Sequence, residues 1–364
     1  MGIQRVIVCE AQVPFVRGGA EYLVRTLVTQ LQQHGYAAEL VSIPFKWDPK
    51  GEMLAHAAAW RLIDLSESNG QPIDLVIASK FPTYFARHTN KVAWLLHQHR
   101  AAYELCGTEF SDFAHTEEDV GIRETLIRTD TEMLRECRRV FTISKTTAKR
   151  LEKFNGLTHE ALYPPPPFAH RLSSGPYGDY ALFVGRLESI KRPDLAVRAV
   201  QHFDRGLRLI MVGEGTQRQR TERLAEELNV SDRITFAGPV HEEALADLYR
   251  GALVTINAPY AEDYGYVTLE SFLAHKPVIT AHDSGGPLEF VDQTNGFSTD
   301  PSGEAIAAAV NLLAANRARA ANLGDAGFER ARLVTWDGVI EKLVQSPASR
   351  VERPESRVER QGSR

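Results

Sequence analysis

Short β-branched apolar runs alternate along the chain with amphipathic segments of helical length, and the alternation runs through twice. That pattern predicts parallel sheets covered by helices, because a strand buried on both faces reads as a continuous apolar run. In the first half the strands are predicted at Val6 to Cys9, Ala38 to Ile43, Leu75 to Ala78, Val92 to Leu96 and Val140 to Ile143. In the second they fall at Ala181 to Val184, Leu207 to Val212, Ile234 to Ala237, Val254 to Asn257 and Val278 to Thr280. Between the halves, Tyr163-Pro164-Pro165-Pro166-Pro167 can continue neither a helix nor a hydrogen-bonded ladder, and the turn-rich Ser173-Ser174-Gly175-Pro176-Tyr177-Gly178 follows. The chain is therefore read as α/β, with an N-terminal domain over residues 1–165 and a C-terminal domain over 176–330. A last amphipathic pattern from about Ala305 to Val344 predicts helix with a break near Gly324 or Gly327, its end at about 330–345 returning to the first domain. From Ser346 the sequence repeats SRVER among charged and small residues, and a disordered tail is expected over 346–364.

Composition narrows the class rather than the activity. A length of 364 residues suits two domains, each with its own core. The formal net charge of -5 argues against a dedicated nucleic-acid binder. Cys9, Cys106 and Cys137 are widely separated and lack CxxC spacing, so neither a disulfide framework nor a thiolate metal site is expected, and a reducing cytoplasm fits. The start runs straight into Arg5-Val6-Ile7-Val8-Cys9, with no signal core and no apolar run of membrane-spanning length, so a cytoplasmic protein is expected.

Glu262-Asp263-Tyr264-Gly265-Tyr266-Val267-Thr268-Leu269-Glu270 sets two carboxylates on either side of a glycine where loop should become helix. The glycine permits close approach of backbone to ligand, the N–H groups of Tyr266 and Val267 suit a phosphate, and each carboxylate can accept from sugar hydroxyls. Their spacing sets them apart along the helix, as if gripping two ends of one ligand; an amphipathic helix with an acidic cap is the competing reading. Arg17-Gly18-Gly19-Ala20-Glu21 follows the first strand and can admit a diphosphate beside a helix N-terminus, or be a turn. In Gly185-Arg186-Leu187-Glu188-Ser189-Ile190-Lys191-Arg192-Pro193, both Arg186 and Lys191 fall at the carboxyl edge of a sheet, where cations offset charge on a phosphate leaving group; two solvated cations are the alternative.

His97 of His97-Gln98-His99-Arg100 should end a central strand as a polar contact or proton carrier, and without a third ligand near it no metal is assigned. Asp130-Thr131-Glu132 is read as a solvated helix face. Leu209-Ile210-Met211-Val212-Gly213-Glu214-Gly215 begins like a dinucleotide site but has Arg218 where the third glycine belongs, which disfavours an oxidoreductase. The basic run from Arg135 to Lys153 can rest on anionic lipid near a lipid-linked acceptor, or be a solvated helix pair.

In order and spacing, RGGAE, the histidine after a middle strand, YPPP, GRLxxxK, ExxxxxxxE and Ser284-Gly285-Gly286-Pro287 resemble the retaining glycosyltransferases of family four, the glycosyl transferases group 1, over roughly residues 3 to 340. The resemblance implies a GT-B fold, two Rossmann-like domains facing each other across a donor and acceptor cleft. It implies transfer of a hexose-type sugar from a UDP- or GDP-sugar to a saccharide, lipid-linked or small-molecule hydroxyl, with no metal or other cofactor. A nucleotide-sugar epimerase of the same fold and a non-catalytic nucleotide-sugar-binding subunit are the alternatives. Carried over by motif, Arg186 and Lys191 hold the diphosphate, Glu270 the ribose, and Glu262 the hydroxyls of the transferred sugar. Gly265, Tyr266 and Val267 present backbone to sugar and phosphate, Gly18 and Gly19 close the diphosphate side, and His97 lies near the reaction centre. Gly238, Pro239 and Val240 read the base. Asp263 stands where many relatives have glycine or a small residue, a departure expected to bear on donor-sugar choice.

Overall fold

The computed structural model describes residues 2–15 and 18–345, so Arg17 of the glycine motif and the charged tail over 346–364 lie outside the described residues. Six strands, β1 (Arg5–Gln12), β2 (Ala37–Pro44), β3 (Leu75–Ala78), β4 (Lys91–Leu95), β5 (Arg139–Thr142) and β6 (Glu160–Ala161), make one parallel sheet in the order β2-β1-β3-β4-β5-β6. Six more, β7 (Tyr180–Val184), β8 (Arg208–Val212), β9 (Ile234–Gly238), β10 (Val254–Ile256), β11 (Val278–Ala281) and β12 (Gly296–Thr299), make a second in the order β9-β8-β7-β10-β11-β12. Each order reverses direction once, between β1 and β3 and between β7 and β10. Loops leaving the carboxyl ends diverge at such a switch point and open a ligand crevice.

Helices cover the sheets: α1 (Gly19–Gln33), α2 (Glu52–Leu62), α3 (Glu117–Arg135) and α4 (Lys145–Asn155) on the first, with α5 (Pro193–Val200), α6 (Arg218–Glu227), α7 (Glu242–Gly251), α8 (Tyr266–Leu273), α9 (Gly303–Ala315) and α10 (Arg317–Ala331) following in the second half. Local chemistry sets their ends. Ser144 caps α4 by accepting from the Thr147 N–H, and Gly156 ends it in the left-handed conformation. The final helix, α11 (Trp336–Val344), crosses back to the first sheet. There Val339, Ile340 and Leu343 join Val8, Leu27 and Trp94, and Arg139 donates to the carbonyls of Lys342 and Leu343. The same apolar cluster takes in Tyr264, Leu269 and Phe272, so one core runs continuously from the first sheet into α8. Among the described residues, no helix is long and apolar enough to cross a membrane.

All ten predicted strands are present, shifted by one residue at most ends, with β1 running three residues further than predicted, to Gln12; β6 and β12 escaped prediction. Two sequence expectations are overturned. The C-terminal helical pattern breaks at Asn316 and at 332–335, while Gly324 and Gly327 lie inside α10. A Cβ on Gly324 would stand 2.0 Å from the His275 carbonyl oxygen and one on Gly327 2.2 Å from the Phe272 ring, so these glycines let two helices touch. Asp130 faces inward instead of presenting a solvated face: it is fully buried, accepts from Tyr103 Oη at 2.5 Å, and burial pushes its carboxyl up to about 7. Within the basic run, Arg139 holds α11 and Arg150 is buried.

Candidate functional site

At the second switch point, β7 is followed by Gly185, with φ of 150°, and by an exposed Arg186 whose side chain has no hydrogen bond or ion pair among the described residues. A single 3-10 turn, Ser189–Lys191, then delivers Lys191, Arg192 adopts the left-handed conformation, and Pro193 opens α5. Lys191 Nζ donates to the Glu262 carboxylate. The residue assigned to the diphosphate and the one assigned to the sugar hydroxyls are thus in direct contact. Arg192 forms a two-pronged pair with Asp283 at 2.7 and 2.6 Å and lies over the Tyr260 ring, and the Tyr260 N–H donates to the Ile190 carbonyl. These contacts stitch the Lys191 turn to the loop after β10.

That loop is held from below as well. The Glu262 N–H donates to the Ser284 carbonyl and the Glu262 carbonyl accepts from the Gly286 N–H. A Cβ on Gly285, at φ of 74°, would meet the Glu262 oxygen at 2.5 Å, so only glycine allows the two loops to lie together. Gly265, at φ of 83°, then starts α8, whose first N–H groups, those of Tyr266 and Val267, point out of the helix end without intrahelical acceptors. Glu270 lies one turn further in, accepts from Tyr249 Oη at 2.7 Å, and is pushed up to about 7 by burial. Gly238 ends β9 in the left-handed conformation, its carbonyl accepting from the Gly213 N–H, with Pro239 exposed and Val240 partly so.

The first domain supplies the facing wall. Gly18 precedes α1, and its N–H donates to Glu21, which also pairs with Lys80 from the loop after β3 at 2.9 Å. A Cβ on Gly19 would stand 3.4 Å from the Tyr266 ring, so the two switch points meet across the gap. His97 lies two residues past β4, with Nδ1 2.6 Å from the Gln98 carbonyl oxygen. Burial lowers its pKa, and the nearby Asp263 carboxylate only partly offsets this, so the ring is neutral at pH 7.

Asp263, the departure singled out in the sequence, turns away from Lys191. It is buried against the first domain, where Arg150 donates to it and Arg100 Nε lies 3.5 Å away. Arg100 and Arg150 also both donate to the Ala261 carbonyl, and both pair with Glu104. Sequence reading missed this cluster. Arg150 sat in a run taken for a surface, and nothing in the sequence links it to a residue 113 positions away. The structure therefore gathers Arg186, Lys191, Glu262 and Gly265 to Val267 at one switch point, with Gly19 opposite and His97 beyond Asp263.

Residues 174–330 match the sequence profile of the family described as Glycosyl transferases group 1. A D-inositol 3-phosphate glycosyltransferase from Acidothermus cellulolyticus is 33% identical over 180 residues, covering 46% of this chain and 40% of that protein. The chain thus spans well under half the length of such curated relatives. Among solved structures, sucrose-phosphate synthase from Thermosynechococcus elongatus matches with a TM-score of 0.74 at 19% identity, over 93% of this chain and 97% of that one. HepE from Anabaena, in complex with UDP and glucose, gives 0.68 at 16% identity, over 94% and 100%. WaaG, a glycosyltransferase involved in lipopolysaccharide biosynthesis, gives 0.65 at 15%, over 94% and 100%. The fold of the whole chain is GT-B.

Proposed function

We propose that this GT-B protein, whose residues 174–330 match the glycosyl transferases group 1, is a retaining, metal-independent glycosyltransferase. It would move a hexose-type sugar from a nucleoside-diphosphate sugar to a hydroxyl of a saccharide, lipid-linked or small-molecule acceptor. The observation that carries this reading is the contact of Lys191 with Glu262 beside the N-terminus of α8, facing Gly19 across the switch points. Cation, carboxylate and free backbone N–H groups there suit a diphosphate and a sugar hydroxyl at neighbouring positions. Donor binding splits the pair: Lys191, with Arg186, takes the diphosphate, and Glu262 is released to the sugar. Same-face attack within an oxocarbenium-like ion pair then needs no carboxylate nucleophile, and the neutral His97 can hydrogen-bond a hydroxyl without adding charge.

UDP-sugars head the donor screen, since HepE was solved with UDP and glucose. In the presence of EDTA, one donor should be turned over to nucleoside diphosphate and a product that keeps the donor's anomeric configuration by NMR. An epimerised donor, binding without turnover, or loss of activity restored by manganese would each replace part of this reading.

Calorimetry separates the carboxylates. Glu270→Gln should weaken binding of UDP itself, whereas Glu262→Ala should not weaken it and should reduce transfer, because only the first is assigned to the ribose. A hydrogen bond to a charged group is worth about 1.5–3 kcal/mol. pH supplies the second signature. The Glu270 carboxyl, pushed up to about 7, must ionise to accept both ribose hydroxyls, so wild-type affinity should fall about tenfold from pH 8 to pH 6. The part of that fall owed to Glu270 should vanish in Glu270→Gln; equal pH profiles would take it out of the ribose site.

A further inference from the structure

The loop that carries Glu262 is fastened on two sides by different domains. Its backbone is pinned by Ser284 and Gly286 of its own domain. Its far side is gripped by the first: Arg100 from the segment after β4 and Arg150 from α4 converge on the Ala261 carbonyl and the Asp263 carboxylate, and Phe110 stacks on Tyr260 with ring centroids 5.0 Å apart. The cluster is balanced, two guanidiniums against Glu104 and Asp263, and it is sunk, with Asp263 9% and Arg150 8% exposed. Burial pushes the Asp263 carboxyl up, but Arg100 and Arg150 outweigh it and hold it ionised below the usual carboxylate range. So Ala261 and Asp263, on either side of Glu262, are both tied to the first domain while Glu262 itself turns the other way, to Lys191.

Resting on the glycosyltransferase reading above, we propose that Arg100 and Arg150 are positioning residues for sugar transfer. Through Asp263 and the Ala261 carbonyl they fix the loop against the first domain and so set where the Glu262 carboxylate meets the sugar. Neither arginine is assigned to the donor. Fixing a group before the reaction lowers the cost of reaching the transition state, and a misplacement of about 1 Å can cost on the order of 100-fold.

The test uses Asp263→Asn and Arg150→Met in the full chain. Each should lower kcat 10-fold to 100-fold, an order-of-magnitude range for a lost positioning contact. The UDP dissociation constant should stay within about twofold, because the diphosphate and ribose ends lie on the other side of Glu262. In a Glu262→Ala background the same substitutions should lower kcat by less than about twofold, since residues acting through one group are not additive. A merely structural role would lower kcat in both backgrounds, and that result, or a parallel loss of UDP affinity, overturns the proposal. Backbone hydrogen exchange gives a readout free of turnover: the peptide spanning 258–267 should exchange faster in Asp263→Asn than in wild type. Unchanged exchange there refutes the tie itself, whereas faster exchange in a protein that turns over no donor refutes the glycosyltransferase reading and leaves the tie standing.

Discussion

Lys191→Ala is expected to turn donor over at about one hundredth of the wild-type rate or less, on the scale of removing one preorganised charge from a transition state. Its effect on UDP binding should be far smaller. The asymmetry follows from the pair with Glu262: in the free protein the Lys191 charge is already matched, so gripping a ground-state diphosphate first costs the broken ion pair. As the glycosidic bond breaks, negative charge grows on the leaving oxygen and the same cation gains more, which is what raises kcat rather than affinity. The substitution also leaves Glu262 without its counter-ion beside the diphosphate. Arg186→Ala should lower kcat in the same direction. Single-turnover kinetics with calorimetry checks both; near-normal turnover in Lys191→Ala would place the leaving group elsewhere.

Gly324→Ala should destabilise the fold by about 2–3 kcal/mol, the cost of forcing a methyl group into a filled interface. α10 lies against the end of α8 so closely that a Cβ at this position would sit 2.0 Å from the His275 carbonyl and 2.8 Å from Tyr177 Oη. Neither neighbour yields easily, since one is backbone and the other is fixed by its own bond to His275. Elsewhere on the same helix, Ala326 is partly exposed, and Ala326→Gly offers a contrasting change that should cost about 1 kcal/mol through propensity alone. Urea midpoints compare the two, and a Gly324→Ala protein as stable as wild type would mean the helices are not in contact.

Gly324 also shows where sequence pattern stops. Periodicity made the doubled α/β plan legible because β-branched apolar runs buried on both faces leave an unmistakable signal. It failed for Glu160–Ala161 and Gly296–Thr299, strands at sheet edges that are short or polar and so carry little apolar burial. It turned two glycines into a helix break because close approach and flexibility call for the same residue. At the candidate site, the placing of Lys191, Glu262 and Glu270 at strand ends and a helix start was legible through local spacing, whereas the pairing of Lys191 with Glu262 and of Asp263 with Arg150 depends on tertiary closure that no local pattern encodes. Asp130 misled for the opposite reason: a charged residue on a helix normally faces water, and this one is kept inside by Tyr103.

The return of α11 to the first sheet makes the two halves unequal partners in any recombination. Chain entry near 163–176 and exit at 332–335 bracket the second sheet with its helices, so that half is a cassette inserted into the other, and a homologous cassette can be exchanged at those two seams. The first half has no such freedom. Cut after the proline linker, it would lose the helix that covers Trp94 and Leu27, and with it the Trp94–Trp336 contact, leaving an apolar face open to water. Lineages sharing this plan can therefore trade the second half as a unit, while the first has to change by substitutions in its loops, because it is complete only with α11.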